Sequence, residues 1–544
     1  MPQSRLLRGT FILSAAIFLS KFLGLIFVIP LNAIVGPKGL ALYAYAYIPY
    51  TIILSVATLG VPMAVSKFVS KYNAIGDYHT GRRLFRSGLL LMSLTGVAAF
   101  LILYLLAPEI APLVVKSNPS SGNDPADVIM VIRLVSTALI VVPVMSLMRG
   151  YFQGFESMGP TAVSQVVEQI LRILFGLIGA IFVVFVFNGS YSTAVGYVTF
   201  GAFIGALGGL AVLVRYWLQR KPHLNQLIAK SRVNSNVPLK KMYKELIAYA
   251  VPFVAVGLAI SLYQLVDELT MNKTLMSIGM NQGNADKIFG VLEQNSHKLI
   301  MIPVSLSTAL AVTLVPTITN SFSSGKYRLM HHQMTQAFQV VLFLTIPAAI
   351  GLFVLAYPVF GTLYGIDEIK LGGHILRWYA PTALLFASFS ITSSVLQGIN
   401  QQKFTVFSLL VGLLLKLLLN EWLLTLFQGG VGAILATDIG YFCSVMLNIL
   451  VIRTYTQYRF TFIAKRALLI LIFSVLMAIV VLLVTWPFKI GNPLPETWFG
   501  ALGIMVIGVV TGGACFFLLA YRSNLAGHIL GDRFSFLKRR KGGS

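Results

Sequence analysis

The sequence is poor in charge, acids and cysteine. Charged residues make up 11% of the 544, against about 25% in a soluble protein, while 57% are hydrophobic and mean hydropathy is +0.83. This excludes a soluble globular enzyme. The two cysteines, Cys443 and Cys515, both fall in apolar runs, which excludes a disulfide framework and a cysteine-ligated metal. No nucleotide, flavin or metal motif is found, so no cofactor is expected. Connections between apolar runs are short. The longest, about Arg215 to Lys244, is too small for a catalytic domain and basic enough to be read as an amphipathic helix on the inner membrane face.

What remains is a succession of apolar runs of about 20 residues, each able to cross a roughly 30 Å hydrocarbon core as a helix. The fold class expected is an all-α polytopic membrane protein with about 14 transmembrane helices. They begin near Thr10, Ala41, Ser87, Val128, Met158, Thr193, Tyr243, Phe289, Gln336, Leu376, Phe404, Gly430, Ala467 and Trp498. The first run, Phe11 to about Val35 behind Arg5 and Arg8, is longer than the core of a cleavable signal and reads as a retained span.

Net charge is +24, from 41 Lys+Arg and 17 Asp+Glu, and its placement decides its meaning. With the N-terminus inside, 29 of the 41 basic residues fall in the cytoplasmic connections and termini. Only Lys38, Lys116, Lys273, Lys287, Lys370 and Lys489 fall outside. The rule of positive inner loops is obeyed connection by connection, so both termini are expected in the cytoplasm. The excess reports topology and attraction to anionic membrane lipids, and nucleic acid is not expected as a partner.

An internal repeat is visible. Ile48-Pro49 and Val61-Pro62 recur as Ile302-Pro303 and Val315-Pro316, displaced by 254. Arg133, Gln153-Gly154 and Arg172 recur as Arg377, Gln397-Gly398 and Lys416, displaced by 244. Two parallel six-helix repeats follow, the plan of transporters that rock about a central site. The divisions expected are 1–225 (spans 1–6), 226–460 (spans 7–12) and 461–544 (spans 13–14 with a basic tail).

Ionisable residues inside a bilayer are costly and are candidates for function. Lys21 lies midway along span 1, and Lys298 in span 8 one turn from Gln294. Span 5 carries Gln165, Glu168, Gln169 and Arg172 on one helical face. Its counterpart, span 11, keeps only Lys416. Six basic residues against Glu168, Asp267, Glu293 and Asp438 leave the interior net cationic, which suits a phosphate-bearing ligand. Plainer readings stand beside these. Glu168 and Arg172 can neutralise one another at i, i+4, Lys416 can bridge to Asp438, Arg133 and Arg377 can snorkel, and His297 can be a packing residue. Asp267 and Asp438 are the candidates for an ion-coupling role.

Ser20-Lys21-Phe22-Leu23-Gly24, Leu59-Gly60-Val61-Pro62, and Arg149-Gly150-Tyr151-Phe152-Gln153-Gly154 followed by Pro160-Thr161-Ala162 resemble the MOP flippase and exporter superfamily. Within it the chain is most similar to the lipid II flippase family of the Gram-positive, Bacillus type, over essentially its whole length. The resemblance implies a V-shaped pair of six-helix lobes in a bacterial cell membrane. It also implies a cationic cavity lined by spans 1, 2, 7 and 8, and a groove at spans 13 and 14 for a polyprenyl tail. Lys21 stands at the first arginine of the family's Ser-Arg-x-x-Gly motif, and Lys298 near its basic residue in span 8. Members from Gram-negative bacteria continue the motif to a second Arg-Asp, where this chain has Phe27-Val28.

The function expected is alternating-access flipping of undecaprenyl-linked lipid II from the inner to the outer leaflet, with no covalent step. Lys21, Lys298, Arg172, Glu168, Gln165 and Lys416 are the substrate-binding candidates. The drive is the membrane potential, joined by a coupling cation or proton if Asp267 or Asp438 binds one. A sodium site associated with the second lobe of some relatives would here face Lys416. Cell-wall synthesis machinery is the candidate protein partner. The alternative is a flippase for another undecaprenyl-linked polysaccharide, or a sporulation paralogue. A MATE-like cation antiporter is disfavoured by the cationic interior.

Overall fold

The computed structural model describes residues 2–58, 61–115, 122–229, 231, 238–489, 494–523 and 525. Leu59-Gly60 of the motif, Lys116, Lys230, Arg232 and the basic tail from Arg533 lie outside the described residues. Among those described there are helices and no strand, as a chain with no water to satisfy its backbone in the bilayer requires.

The contacts divide the chain into two units, 1–294 and 295–544. The first holds α1 (Pro2–Thr58), α2 (Val61–Ala74), α3 (Tyr78–Val114), α4 (Pro125–Ser136), α5 (Ala138–Gly154), α6 (Gly159–Ile181), α7 (Tyr191–Ala229), α8 (Leu239–Gly257), α9 (Ala259–Ser277) and α10 (Gln282–Gly290). The second holds α11 (His297–Ser323), α12 (Tyr327–Val354), α13 (Ala356–Tyr364), α14 (Ile369–Tyr379), α15 (Thr382–Gly398), α16 (Gln402–Phe427), α17 (Gly430–Thr456), α18 (Thr461–Thr485) and α19 (Trp498–Arg522). A π-helical segment, Val291–Ser296, joins α10 to α11. These contact units partition the chain differently from the sequence divisions at 225 and 460, because α9 and α10 pack on α1.

Eleven of the described helices are long and apolar enough to cross a membrane, twelve if the pair bent by 41° at residue 306 is one span. Fourteen passes fit this set when α1 is taken as two and α8 with α9 as another. At about 1.5 Å per residue, α1 is far longer than a 30 Å core. It is interrupted at Gly36, whose φ of 65° only glycine adopts freely, just before Pro37. Gly290 makes the complementary contact, since a Cβ there would lie 2.1 Å from the carbonyl oxygen of Pro37. Helix starts follow local chemistry. Asp124 caps α4 ahead of Pro125, and Asn281 caps α10.

The long basic connection differs from expectation. Up to Ala229 it is a continuation of α7 that packs within unit 1, and not a separate helix. Arg82 stacks on Trp217 at 4.2 Å, Arg220 bonds Ser157 and faces Phe152, and Leu224 is buried in the core with Phe85 and Tyr151.

The repeat persists in three dimensions with a register the Val-Pro pairs do not show. Gly154 abuts Ser66 and Val69, and Gly398 abuts Val315 and Ile318, a displacement of 249 for these partners. The turn glycines Gly76 and Gly325 share it, as do Tyr104 and Phe353, which carry Arg133 at 4.7 Å and Arg377 at 4.8 Å on their ring faces. The offset of these structural equivalents therefore changes once, from 249 to 244, and the Val-Pro pairs at 254 fall outside that register.

Candidate functional site

In unit 1 the polar face of α6 is split between two neighbours. Glycines of α7 press against it. A Cβ on Gly205 would lie 2.6 Å from the Glu168 carbonyl oxygen, and one on Gly201 2.9 Å from that of Arg172. Small residues at this spacing bring two helix backbones together and fix their rotation. Rotated so, α6 turns Glu168 toward α5, where its Oε2 accepts from Arg149 at 2.7 Å. The same guanidinium donates to Ser164 Oγ, which donates in turn to the Gly209 carbonyl at 3.0 Å. The expected i, i+4 neutralisation of Glu168 by Arg172 is therefore replaced by a pair across helices. Charge counting puts Arg149 among the basic residues of the inner connections, and no helical spacing links it to Glu168 nineteen residues on.

Arg172 turns instead to α1. Its guanidinium donates to the Tyr43 hydroxyl at 3.2 Å and stacks 4.8 Å from the Tyr47 ring, with Tyr43 and Tyr47 stacked on one another. Aromatic faces and a phenol oxygen solvate the cation without neutralising it. Gln169 lies against Gly24, whose Cβ would sit 3.2 Å from its amide nitrogen, so the Lys21 motif and the α6 face meet one turn from Lys21. Lys21 itself is exposed, and the buried Gln165 Oε1 has no hydrogen-bond partner.

Two carboxylate groupings on α9 and α10 were invisible to periodicity. Asp286 is fully satisfied. It accepts from Tyr45 at 2.6 Å and Asn272 at 2.9 Å, and from the backbone and side chain of Asn123 at 2.9 and 3.1 Å. Glu293, in the π-helical segment, accepts from Gln264 of α9 at 2.6 Å. Asp267 and its neighbour Glu268 are both buried. The interleaved Gln264 and Glu268, four apart on α9, were the available signal.

In unit 2 Lys416 is completely buried, and its Nζ donates to the Ala433 carbonyl and to Thr437 Oγ1, both at 2.8 Å. Asp438 accepts instead from Thr382 at 2.6 Å and feels the Lys416 charge from a distance. The ammonium thus takes two neutral oxygens of α17. Lys298 is half-buried in the first turn of α11. Beside it His297 is buried against Tyr379 and Phe386, with Nδ1 3.0 Å from the Tyr379 hydroxyl. That is the environment of a packing histidine. Among the described residues no group of His, Cys, Asp and Glu is arranged to hold a metal ion.

Comparison with known proteins agrees with this architecture. The signature of a family described as polysaccharide biosynthesis protein matches residues 6–322, and that of the MatE family residues 294–422. A Bacillus subtilis protein named lipid II flippase MurJ is 45% identical over 533 residues, 98% of each chain. Stage V sporulation protein B of the same organism is 24% identical, covering 76% of this chain and 77% of its own. A solved structure of lipid II flippase MurJ in an inward closed conformation superposes with a TM-score of 0.63 at 16% identity, over 96% of this chain and 99% of that one, which speaks to fold. With nearly half of its residues shared along the full length of the Bacillus subtilis protein, this multi-pass membrane chain belongs to the MurJ family of the MOP superfamily.

Proposed function

We propose that this protein is a lipid II flippase, carrying the undecaprenyl-linked headgroup from the inner to the outer leaflet with no covalent step. The observation that carries the reading is the 45% identity across 98% of both chains with a protein named for that activity, against 24% with the sporulation protein. The cationic interior supports it, because phosphate oxygens take charge-assisted bonds from lysine and arginine. In this reading Lys21 and Arg172 are the phosphate contacts that the first unit offers, with the Gln165 amide on the same face of α6 as Arg172, and Lys298 is the candidate that the second unit offers by itself. Glu168 acts in this reading by holding Arg149, and Lys416 by holding α17.

The termini lie in the cytoplasm, and the membrane potential, positive outside, draws a net negative headgroup outward at about 2.3 kcal/mol per charge per 100 mV. In the second unit Lys416 supplies as a fixed ammonium the charge that a bound cation would bring. Enzymes that supply and consume lipid II are the natural partners.

The test is the fraction of lipid II reachable from outside in cells depleted of native flippases and carrying this chain or its variants. Wild type restores outward-facing lipid II, whereas Lys21→Ala and Lys298→Ala, expressed at equal level, do not. Unchanged exposure with wild type would move the substrate to another undecaprenyl-linked polymer, and full activity of both variants would remove the lysines from the site.

A further inference from the structure

Unit 2 carries a cationic pocket that the flippase reading does not use, at the end of α17 that the charge rule puts inside. The helix finishes at Thr456, and Gln457 takes a left-handed φ of 53° with its N–H bonded to the Arg453 carbonyl at 2.8 Å. A turn of this hand leads the chain back out of a helix. It returns Arg459 to the side of Arg453, and the two line one open-sided pocket of about 530 Å³ with Leu450, Thr454, Gln457 and Tyr458. One wall is fixed in advance. Tyr458 is buried, its hydroxyl lies 2.6 Å from Thr335 Oγ1 of α12, and its ring packs on His331 and Phe460. His331 in turn donates from Nε2 to the Thr456 carbonyl at 2.9 Å.

Neither guanidinium is already engaged. Arg453 and Arg459 are exposed, and among the described residues neither side chain has a hydrogen-bond, ion-pair or ring partner. The described acids of the unit stand toward its other end. Asp367 and Glu368 precede α14, Glu421 lies in the C-terminal part of α16, Asp438 in the N-terminal half of α17, and Glu496 precedes α19, whereas the pocket lies where α17 finishes and α18 begins. Two free guanidinium forks suit the oxygens of an anionic phosphate. A zwitterionic headgroup would bring its own cation against them, with no carboxylate to receive it.

The exposed face of α17 joins this pocket to hydrocarbon. Ile439, Phe442, Met446 and Leu450 recur at three- and four-residue spacing on one side of the helix, each between 38 and 57% exposed, and Leu450 is itself part of the pocket wall. From Ile439 to Leu450 the stripe runs about 16 Å, close to half of a roughly 30 Å hydrocarbon core. Beside the pocket the exposed Tyr455 packs on Phe404 at 5.7 Å, an aromatic pair of the kind that sits where hydrocarbon meets headgroups. An apolar stripe one leaflet deep, ending in a cationic pocket of headgroup size, matches a whole lipid and not a soluble anion.

We propose that Arg453 and Arg459 bind the phosphate of an anionic phospholipid whose acyl chain lies along α17. The site is separate from the candidate substrate contact of this unit. Lys298 stands in the first turn of α11, whereas Tyr458 packs on the start of α12, which follows the last turn of α11. The proposal therefore does not rest on the flippase reading.

The test titrates the full-length protein in detergent with phosphatidylglycerol and, separately, with phosphatidylcholine, and counts retained lipids by native mass spectrometry. Wild type is expected to hold its first phosphatidylglycerol at least about tenfold more tightly than phosphatidylcholine, and Arg453→Ala/Arg459→Ala to lose that preference. A preference that survives the double variant overturns the site. Lys71→Ala/Arg86→Ala removes two exposed cations from unit 1 and is expected to keep the preference within about twofold. An equal loss in this control would reduce the effect to diffuse attraction by a basic protein and overturn the site as well. Should the alanine pair fail to fold, Arg453→Lys/Arg459→Lys keeps the charge and loses the fork, and is expected to weaken phosphatidylglycerol about threefold; no change would overturn the assignment. Glycerol 3-phosphate in solution decides the source of the phosphate. It is expected to leave bound phosphatidylglycerol in place, and displacement by it would give the pocket to a soluble anion instead of a lipid.

Discussion

Arg172 and Lys416 occupy the same place in the two repeats, and each unit handles its buried cation differently. In the first, Arg172 is solvated by tyrosines of α1, while its helix also carries Glu168 paired to Arg149 on α5. In the second, the positions displaced by 244 from Arg149 and Glu168 are Ser393 and Gly412, and Lys416 turns to a carbonyl and a hydroxyl of α17. Acid and base are absent together there, as they must be, since one member without the other would be left uncompensated. Unit 1 thus carries a paired acid and base beside its cation, and unit 2 a lysine held by neutral oxygens with Asp438 nearby on Thr382.

The sharpest way to break this comparison is to strand a charge. Glu168→Ala leaves Arg149 with Ser164 alone and, for a pair that is partly exposed, is expected to cost roughly 1–3 kcal/mol of stability, read as thermal unfolding of the purified protein. Adding Arg149→Ala should give back a large part of that loss. If the double variant is as unstable as the sum of the singles, the two residues do not act as a pair. Next in size is Lys416→Ala, which vacates the two oxygens of α17. The Ala433 carbonyl and the Thr437 hydroxyl then lose their donor, and a loss of about 1–3 kcal/mol is expected in thermal unfolding, whereas an unchanged melting temperature would show that the lysine does not hold α17. Tyr43→Phe removes one hydrogen bond from Arg172 and keeps the ring, so about 1 kcal/mol is expected. Smallest is Ser393→Ala, at the place unit 2 has in lieu of Arg149. Its buried hydroxyl has no partner, and the change should be neutral or slightly stabilising; a loss above about 1 kcal/mol would show that the hydroxyl matters.

How far the fold could be read ahead of the structure follows from what a sequence encodes locally. Apolar runs, the basic inner connections and the repeat of Gln153-Gly154 at Gln397-Gly398 are properties of single segments. They delivered the helical membrane architecture. The partner of Glu168 was not legible, because which residue faces it depends on how far α6 is rotated, and the glycines of α7 set that rotation from another helix. The same holds for Glu268, whose burial emerges only when α9, α10 and α1 are assembled. Lys416 shows an intermediate case. That it would be buried and held by the neighbouring span was visible, but its partners proved to be Ala433 and Thr437 in place of Asp438.

The saturated carboxylate of Asp286 has a consequence for biogenesis. Its four donors come from Tyr45 in α1, Asn123 before α4 and Asn272 in α9, so one side chain joins parts of the chain synthesised more than 240 residues apart. Until residue 286 has left the ribosome, Asn123 and Asn272 have the Lys38 and Val114 carbonyls and the Tyr45 hydroxyl as acceptors but not the one carboxylate that links them. The earlier passes therefore lack their common clasp until α10 is made. A ribosome that stalls a few dozen codons early leaves behind an assembly that has nearly all of its helices and not the clasp that joins them, which is the kind of product membrane quality control is equipped to recognise.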